Sequence, residues 1–308
     1  MLDEIRHGSV PFRFSGHESF ACRYAWLPKG YRAIVREPSM FFDEERSMVE
    51  LGIGKNMVRS LRFWMDAMGV ATVSEQRCHN PTSFGDAVLA QTGLDPYLED
   101  ERTLWLLHWN VSSRANPMLF AWAHMLSEWP YPEFTRSEAL ESFRRRSTSL
   151  GQDHSDVTLA QHFDVFLHTY TGTRGPKVSI EDSLDGPLVG LALIIPAGER
   201  RNVGGRWETV YAFRREPKPD ITDALFEYCV RDFWDRQVAG EATLSLRAIA
   251  TAVGSPGQVF KLTEDDVRQR LEAISRRPGA SIRYQPSAVQ GMVFREGTAP
   301  ALSTVYGD

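Results

Sequence analysis

The sequence predicts a mainly α protein of the α+β class, with winged-helix or helix-turn-helix modules at its N- and C-terminal ends and a helical middle. Three observations predict this. Residues 43–68 read as a helix, a glycine turn and an amphipathic helix. Residues 97–170 carry helical apolar spacing throughout. Residues 245–295 repeat the helix–turn–helix order and add an alternating, hairpin-like run. The expected divisions are 1–95, 96–175 and 176–308.

Composition sets the bounds. The chain has 308 residues, 42% hydrophobic and 24% charged, the mix of an ordinary globular protein with room for two or three domains. No apolar run approaches the roughly 18–20 residues that span a bilayer. The start, "MLDEIRHGSVPF", lacks a basic stretch followed by an apolar one, so no secretory leader is expected. The three cysteines, Cys22, Cys78 and Cys229, are far apart and fit neither a disulfide framework nor a zinc spacing. A cytoplasmic protein with reduced thiols is expected. The net charge of -5 argues against a chain coated in nucleic acid. It leaves room for local basic surfaces, because fields fade within a Debye length of about 8 Å.

The N-terminal stretch "FRFSGHESFACRYAWLPKGY" (12–31) supports two compatible readings. His17 and Glu18 are adjacent, with Arg13, Arg23, Lys29 and Arg32 around them. One reading is an acid/base pair in a basic pocket facing a phosphate. The other is a capping box: Ser15 caps a helix, Glu18 reaches back, and Phe20, Tyr24 and Leu27 are buried before Pro28 ends it. A helix N-terminus is itself an anion site.

Asp43 can cap the next helix, Glu44 and Glu45 suit its first turn, and Gly52 suits its exit. A second helix is expected from Lys55 to Met68, with Val58, Leu61 and Met65 on its apolar stripe. Lys55, Arg59 and Arg62 share the other face. The polar loop "RCHNPTS" after a short β-like run would be the wing of a winged helix. Lys55, Asn56, Arg59 and Ser60 would then approach bases or phosphates in a major groove. The plainer reading is an exposed helix with a solvated charged face.

The middle reads as all helical. Trp105, Leu106, Trp109, Phe120, Trp122, Met125, Phe163 and Phe166 are expected in the core. His108, His124, His162 and His168 form no established metal pattern. Residues 144–156 read as a polar connector whose Arg144–Arg146 would lie on DNA or in water. The acids Glu181, Asp182 and Asp185, beside a short apolar strand, are a candidate site for Mg²⁺ or Mn²⁺ in phosphodiester chemistry, or an ordinary surface turn. There is no Walker loop, no GxGxxG and no nuclease motif.

At the C-terminal end a helix is expected from Ser245 to Val253, then a glycine-proline turn, then a helix capped by Thr263 with Val267, Leu271 and Ile274 inward. Arg268, Arg270, Arg276 and Arg277 lie outside that stripe. The alternating run 280–296 completes a second winged-helix pattern. Such modules dock proteins as well as DNA.

The blocks "FSGHESFACRYAWLPKGY", "LGIGKNMVRSLRFW", "DPYLEDERTLWLLHW", "EDSLDGPLVGLALI" and "SPGQVFKL", in this order, resemble a prokaryotic family of unknown function, number four thousand and seven, over nearly the whole chain. That family belongs to DNA phosphorothioation clusters. The resemblance implies a nickase that opens one strand of duplex DNA so that sulfur can replace a non-bridging phosphate oxygen, in phage defence. It implies a cysteine desulfurase, an ATPase and an ATP-pyrophosphatase as partners. On this reading Lys55, Asn56, Arg59, Arg62, Arg268 and Arg270 touch DNA. His17 and Glu18 handle protons or metal, and Arg13 and Arg23 hold the phosphate. The rival is a DNA-binding regulator or adaptor that recruits the sulfur-transfer enzymes and cuts nothing. Homodimerisation would follow the common symmetry of DNA binders.

Overall fold

A computed structural model of the chain describes residues 12–172, 186–287 and 290–307. It is a mixed α+β structure, helices around three small antiparallel sheets.

The N-terminal segment is not the expected capped helix. Gly16 (φ 110°) and Glu18 (φ 57°) bend the chain into a turn instead, closed by the Phe20 N–H donating to His17 O at 3.0 Å. Arg13 is held from far along the chain: it forms an isolated parallel bridge with Leu119, its N–H donating to Met118 O at 2.9 Å. Helix α1 (Trp26–Arg36) starts only after the turn. Pro28 sits in its first turn, where a missing N–H costs nothing, and does not end it.

Helix α2 (Glu44–Leu51) begins as the sequence indicates. Asp43 accepts from the Arg46 N–H, and Gly52 leaves the helix at φ 62°. Helix α3 (Lys55–Ala67) follows and lies against α1 at Gly30. A Cβ at Gly30 would overlap Met65 Sδ and stand 2.8 Å from Leu61 Cδ2, so only glycine allows this approach. Strands β1 (Ala71–Val73) and β2 (His79–Pro81) pair as a short hairpin, and α4 (Ser83–Leu89) is capped by Thr82.

Helices α5 (Glu101–Trp109) and α6 (Phe120–Ala123) each continue into a π turn, through Arg114 and Glu128 respectively. The middle is not all helical, because β3 (Glu133–Thr135) interrupts it. Phe134 is fully buried there, stacked on Tyr211 and against Phe213. Helix α7 (Arg136–Ser149) carries a true capping box, Thr135 with Glu138, and α8 (Asp156–Thr171) is capped by Ser155. Arg144–Arg146, expected in a connector, lie on α7. Arg144 binds Glu141 and Asp156, and Arg146 binds Glu128. Strands β4 (Ile194–Arg201) and β5 (Trp207–Phe213) complete a sheet of order β3-β5-β4. This sheet joins residues on both sides of position 175.

The last region repeats that order: α9 (Asp223–Gln237), β6 (Thr243–Ser245), α10 (Leu246–Thr251), the single turn α11 (Pro256–Val259), α12 (Glu264–Ser275), then β7 (Ile282–Gln285) and β8 (Met292–Arg295). The sheet runs β6-β8-β7. Thr263 caps α12 by accepting from the Asp266 N–H, as expected. A short α13 (Leu302–Val305) ends the described chain.

The core is continuous and aromatic. Trp64, Trp105, Trp109, Trp122 and Trp234 are fully buried, as are Phe120, Phe163 and Phe166. No helix among the described residues is long and apolar enough to cross a membrane.

Candidate functional site

The N-terminal turn and the polar face of α3, far apart in the reading of the sequence, line one open cleft of about 760 Å³. Arg13, Gly16 and Glu18 form one wall. Arg59, Arg62, Phe63 and Asp66 of α3 form the floor, and Thr72, Val73 and His79 of the β1–β2 hairpin form the far wall. A narrower cavity of about 320 Å³ continues past Arg13 and Asp66 toward Asn110 and Arg114.

Every cation of this cleft is already engaged. Glu44, projecting from the first turn of α2, receives Lys55 Nζ at 2.7 Å and Arg59 Nε at 2.8 Å. The hydrogen bonds from Lys55 and then Arg59 hold its carboxyl below the usual range. Arg13 pairs with Asp66 at 3.1 Å and lies 4.3 Å from the Phe63 ring centre. Arg62 donates to Phe41 O at 3.2 Å and rests over Phe42, and burial lowers its pKa. Asn56 is exposed at the start of α3. Ser60, expected at the groove, instead points inward and donates to Phe20 O at 3.3 Å.

Glu18 differs from the other cleft carboxylates. It has no ion pair among the described residues, and its backbone sits in the left-handed region that favours glycine. Its carbonyl accepts from Gln161 Nε2 of α8, which fixes the turn. A side chain held at positive φ costs on the order of 1 kcal/mol and persists where surrounding contacts over-determine it.

His17, expected beside Glu18 as a proton carrier, does not face the cleft. It is 2% exposed and stacked on His162, with Nε2 and His162 Nδ1 2.8 Å apart. The tautomers follow from the partners. The Ala121 N–H donates to His162 Nε2 at 3.0 Å. His162 therefore carries its proton on Nδ1 and donates to His17 Nε2, which leaves the His17 proton on Nδ1. Burial pushes His17 down to about 4 and His162 well below the ordinary histidine value, so both are neutral at physiological pH. His79 of the far wall is likewise pushed to about 4, by burial and then by Arg62.

The other expected residues lie elsewhere. Arg23 sits 6.0 Å from the Trp26 ring and does not line the cleft. Arg268 is half exposed and pairs with Asp265 and Glu272. Arg270 is a structural tie: largely buried, it donates to Ile221 O and, at 2.8 Å, to Lys218 O. Glu181, Asp182 and Asp185 lie outside the described residues. Among the described residues no group of three His, Cys, Asp or Glu could hold a metal ion.

Reading the sequence missed Glu44, Phe63, Asp66 and His79 as cleft residues. Asp66 was within reach, because it falls on the same α3 stripe as Arg59 and Arg62. His79 gave no signal beyond its place in a polar loop.

Residues 14–303 match the family described as "Protein of unknown function (DUF4007)". No curated protein matches the chain. A magnesium ion-bound crystal structure of SspB is similar at TM-score 0.78 and 25% identity, with 96% of this chain and 85% of that chain covered. A second crystal structure of SspB is similar at TM-score 0.76 and 25% identity, with 94% and 84% covered.

Proposed function

This chain belongs to the DUF4007 family, and from that premise we propose that it is a DNA-binding component of a DNA phosphorothioation system, nicking one strand of duplex DNA. The likeness to SspB along nearly the whole chain supports placing it in such a system. It would act in the cytoplasm for phage defence, beside a cysteine desulfurase, an ATPase and an ATP-pyrophosphatase.

The observation that carries the reading is the shared cleft, where Arg13 and Glu18 face Arg59 and Arg62. We read helices α1–α3 with the β1–β2 hairpin, and the region from α9 to β8, as winged-helix modules, a reading that their order of helices and hairpins supports. The α3 face would meet the duplex with Lys55, Asn56, Arg59 and Arg62. Each phosphate neutralised steepens the salt dependence by roughly 0.9 log units per log unit of salt. Arg13 and Arg62 would hold the scissile phosphate. Glu18 would take the proton of an attacking water as it adds to phosphorus, and the strand's bridging oxygen would leave with the electron pair of the broken P–O bond. His17 is a positioning residue in this scheme, setting the turn that presents Glu18.

The described residues contain no preformed group of three metal ligands. Magnesium is commonly held by one or two carboxylates and the substrate's phosphate, where it neutralises developing charge. Glu18 and Asp66 are the cleft carboxylates placed for that role.

The second reading, a DNA-binding adaptor that recruits the sulfur-transfer enzymes without cutting, is favoured by one observation: His17, the expected proton carrier, is buried against His162 and does not face the cleft. Supercoiled plasmid separates the two. With Mg²⁺ or Mn²⁺ and the partner proteins, the wild type should produce open circles that chelator and Glu18→Gln abolish, while Glu18→Gln still shifts DNA. Plasmid that shifts and never opens under any of these conditions would leave the adaptor.

A further inference from the structure

The β4–β5 hairpin presents a surface that the cleft does not use. Its strands pair out to Arg201 opposite Trp207, and residues 203–207 are all exposed. The turn is closed by the Asn202 N–H donating to Arg206 O at 2.8 Å. The Asn202 side chain secures it further, accepting from the Arg206 N–H at 3.0 Å and donating to Glu208 at 2.7 Å. The tip itself is Val203-Gly204-Gly205, with Gly205 at φ 77°.

Three properties converge there. Val203 is exposed at 110% and Trp207 at 61%, an apolar tip and flank that nothing among the described residues covers. Arg201 lies 5.0 Å from the Trp207 ring, which orients its guanidinium along the hairpin. Arg201 and Arg206 have no carboxylate partner among the described residues, whereas Arg200, one position away, is bound by Glu133 and Glu138. Helix α8, which packs against β4, is spent on the core: His162, Phe163, Val165, Phe166 and Leu167 are buried. The hairpin tip is the part of this sheet left to meet a ligand.

We infer that the β4–β5 hairpin is a second DNA contact that enters the minor groove with Arg201 and Arg206, its Val-Gly-Gly tip resting on the groove floor. The inference rests on the DNA-binding reading above. The chemistry matches in shape and charge. The minor groove is about 6 Å wide, so a tip with two glycines and one small side chain fits where a bulkier turn would not. A narrow groove concentrates negative potential and draws in arginine. Apolar side chains entering from that side are a known means of bending duplexes.

The test measures binding of the full chain to a fluorescent duplex by anisotropy over a range of salt, with and without a minor-groove-binding polyamide preloaded on the duplex. Arg201→Ala/Arg206→Ala should weaken binding about tenfold or more. It should also reduce the salt slope by roughly 1.8, two contacts at 0.9 each. Val203→Asp should weaken binding as well. All these positions are exposed, so melting temperatures should match the wild type. Preloaded polyamide should weaken the wild type and leave the double variant unchanged. If the wild type binds and the double variant binds equally, the hairpin contact is wrong and the α3 contact stands. If the double variant is weakened and the polyamide has no effect, the hairpin touches phosphate outside the groove and insertion is overturned. If the wild type does not bind duplex DNA, the DNA reading and this inference fall together.

Discussion

Glu44 occupies the place that a DNA phosphate would take, with Lys55 and Arg59 both on its carboxylate. These are exposed pairs, which contribute little to the stability of the fold. On the proposed function its larger effect falls on binding, because a phosphate would have to displace it. Glu44→Gln should therefore tighten duplex binding several-fold with little change in melting temperature, read by anisotropy at fixed salt. Looser binding would show that Glu44 orients α3 and does not compete. The histidine pair makes a separate prediction. His17 is held near 4 by burial against about 6.5 when unfolded, and burial lowers His162 in the same direction. The unfolded chain thus binds more protons below pH 6.5. Stability from the pair is complete above that value and is lost as pH falls through the folded values. The urea midpoint should drop between pH 7 and pH 5. His17→Gln, whose amide oxygen can still accept from His162, should flatten that drop. An unchanged slope would place the acid sensitivity elsewhere, with His79 and His108, both also near 4, the next positions to examine.

At the level of elements, the placement of α3 depends on a contact without side-chain bulk. Gly30 of α1 meets Leu61 and Met65 of α3 directly. Gly30→Val should cost about 1–3 kcal/mol by overpacking. Because it pushes α3 away from the N-terminal turn, it should also weaken DNA binding more than its loss of stability explains. Melting and anisotropy on the same preparation would separate the two effects. The α2–α3 pair was legible in the sequence because its signals are local: Asp43 as cap, acids in the first turn, Gly52 at the exit. The capping box at Ser15 had the right residue types and failed because Gly16 and Glu18 take positive φ, which distant contacts with Met118 and Gln161 impose. Strand β3 was invisible because three residues carry no usable periodicity. Arg270 looked like a surface cation on α12, and its carbonyl partners Lys218 and Ile221 lie about fifty positions earlier.

Across the whole molecule, a buried lysine ties the middle to the C-terminal region, and a second braces the loop beside it. Lys261 Nζ donates to Leu126 O at 2.6 Å and Met125 O at 3.2 Å, and packs 4.2 Å from the Phe213 ring centre. Lys218 Nζ donates to Arg214 O at 2.8 Å and Glu216 O at 3.2 Å. Burial pushes Lys261 down to about 7 and Lys218 to about 8, far below the 10.5 of an exposed lysine. Above pH 7 the unfolded chain holds protons that the folded chain has begun to lose, so stability rises with pH. Between pH 7 and pH 8 the gain should approach about 1 kcal/mol for Lys261. It should vanish in Lys261→Met, followed by urea denaturation at both pH values. A wild type equally stable at both would mean that the ammonium stays charged against its carbonyls. None of this was legible in the sequence, where both lysines look like ordinary loop residues.

The bridge between Arg13 and Leu119 also orders events in time. One wall of the cleft is encoded at the start of the chain, yet the strand contact and the histidine that hold it come from residues 118–120 and 162. The residues of α3 are made before those that lock its opposite wall. A chain ending before α8 lacks Gln161 and His162, and with them the contacts that hold the turn carrying Glu18. Completion of the cleft is thus coupled to the docking of α8.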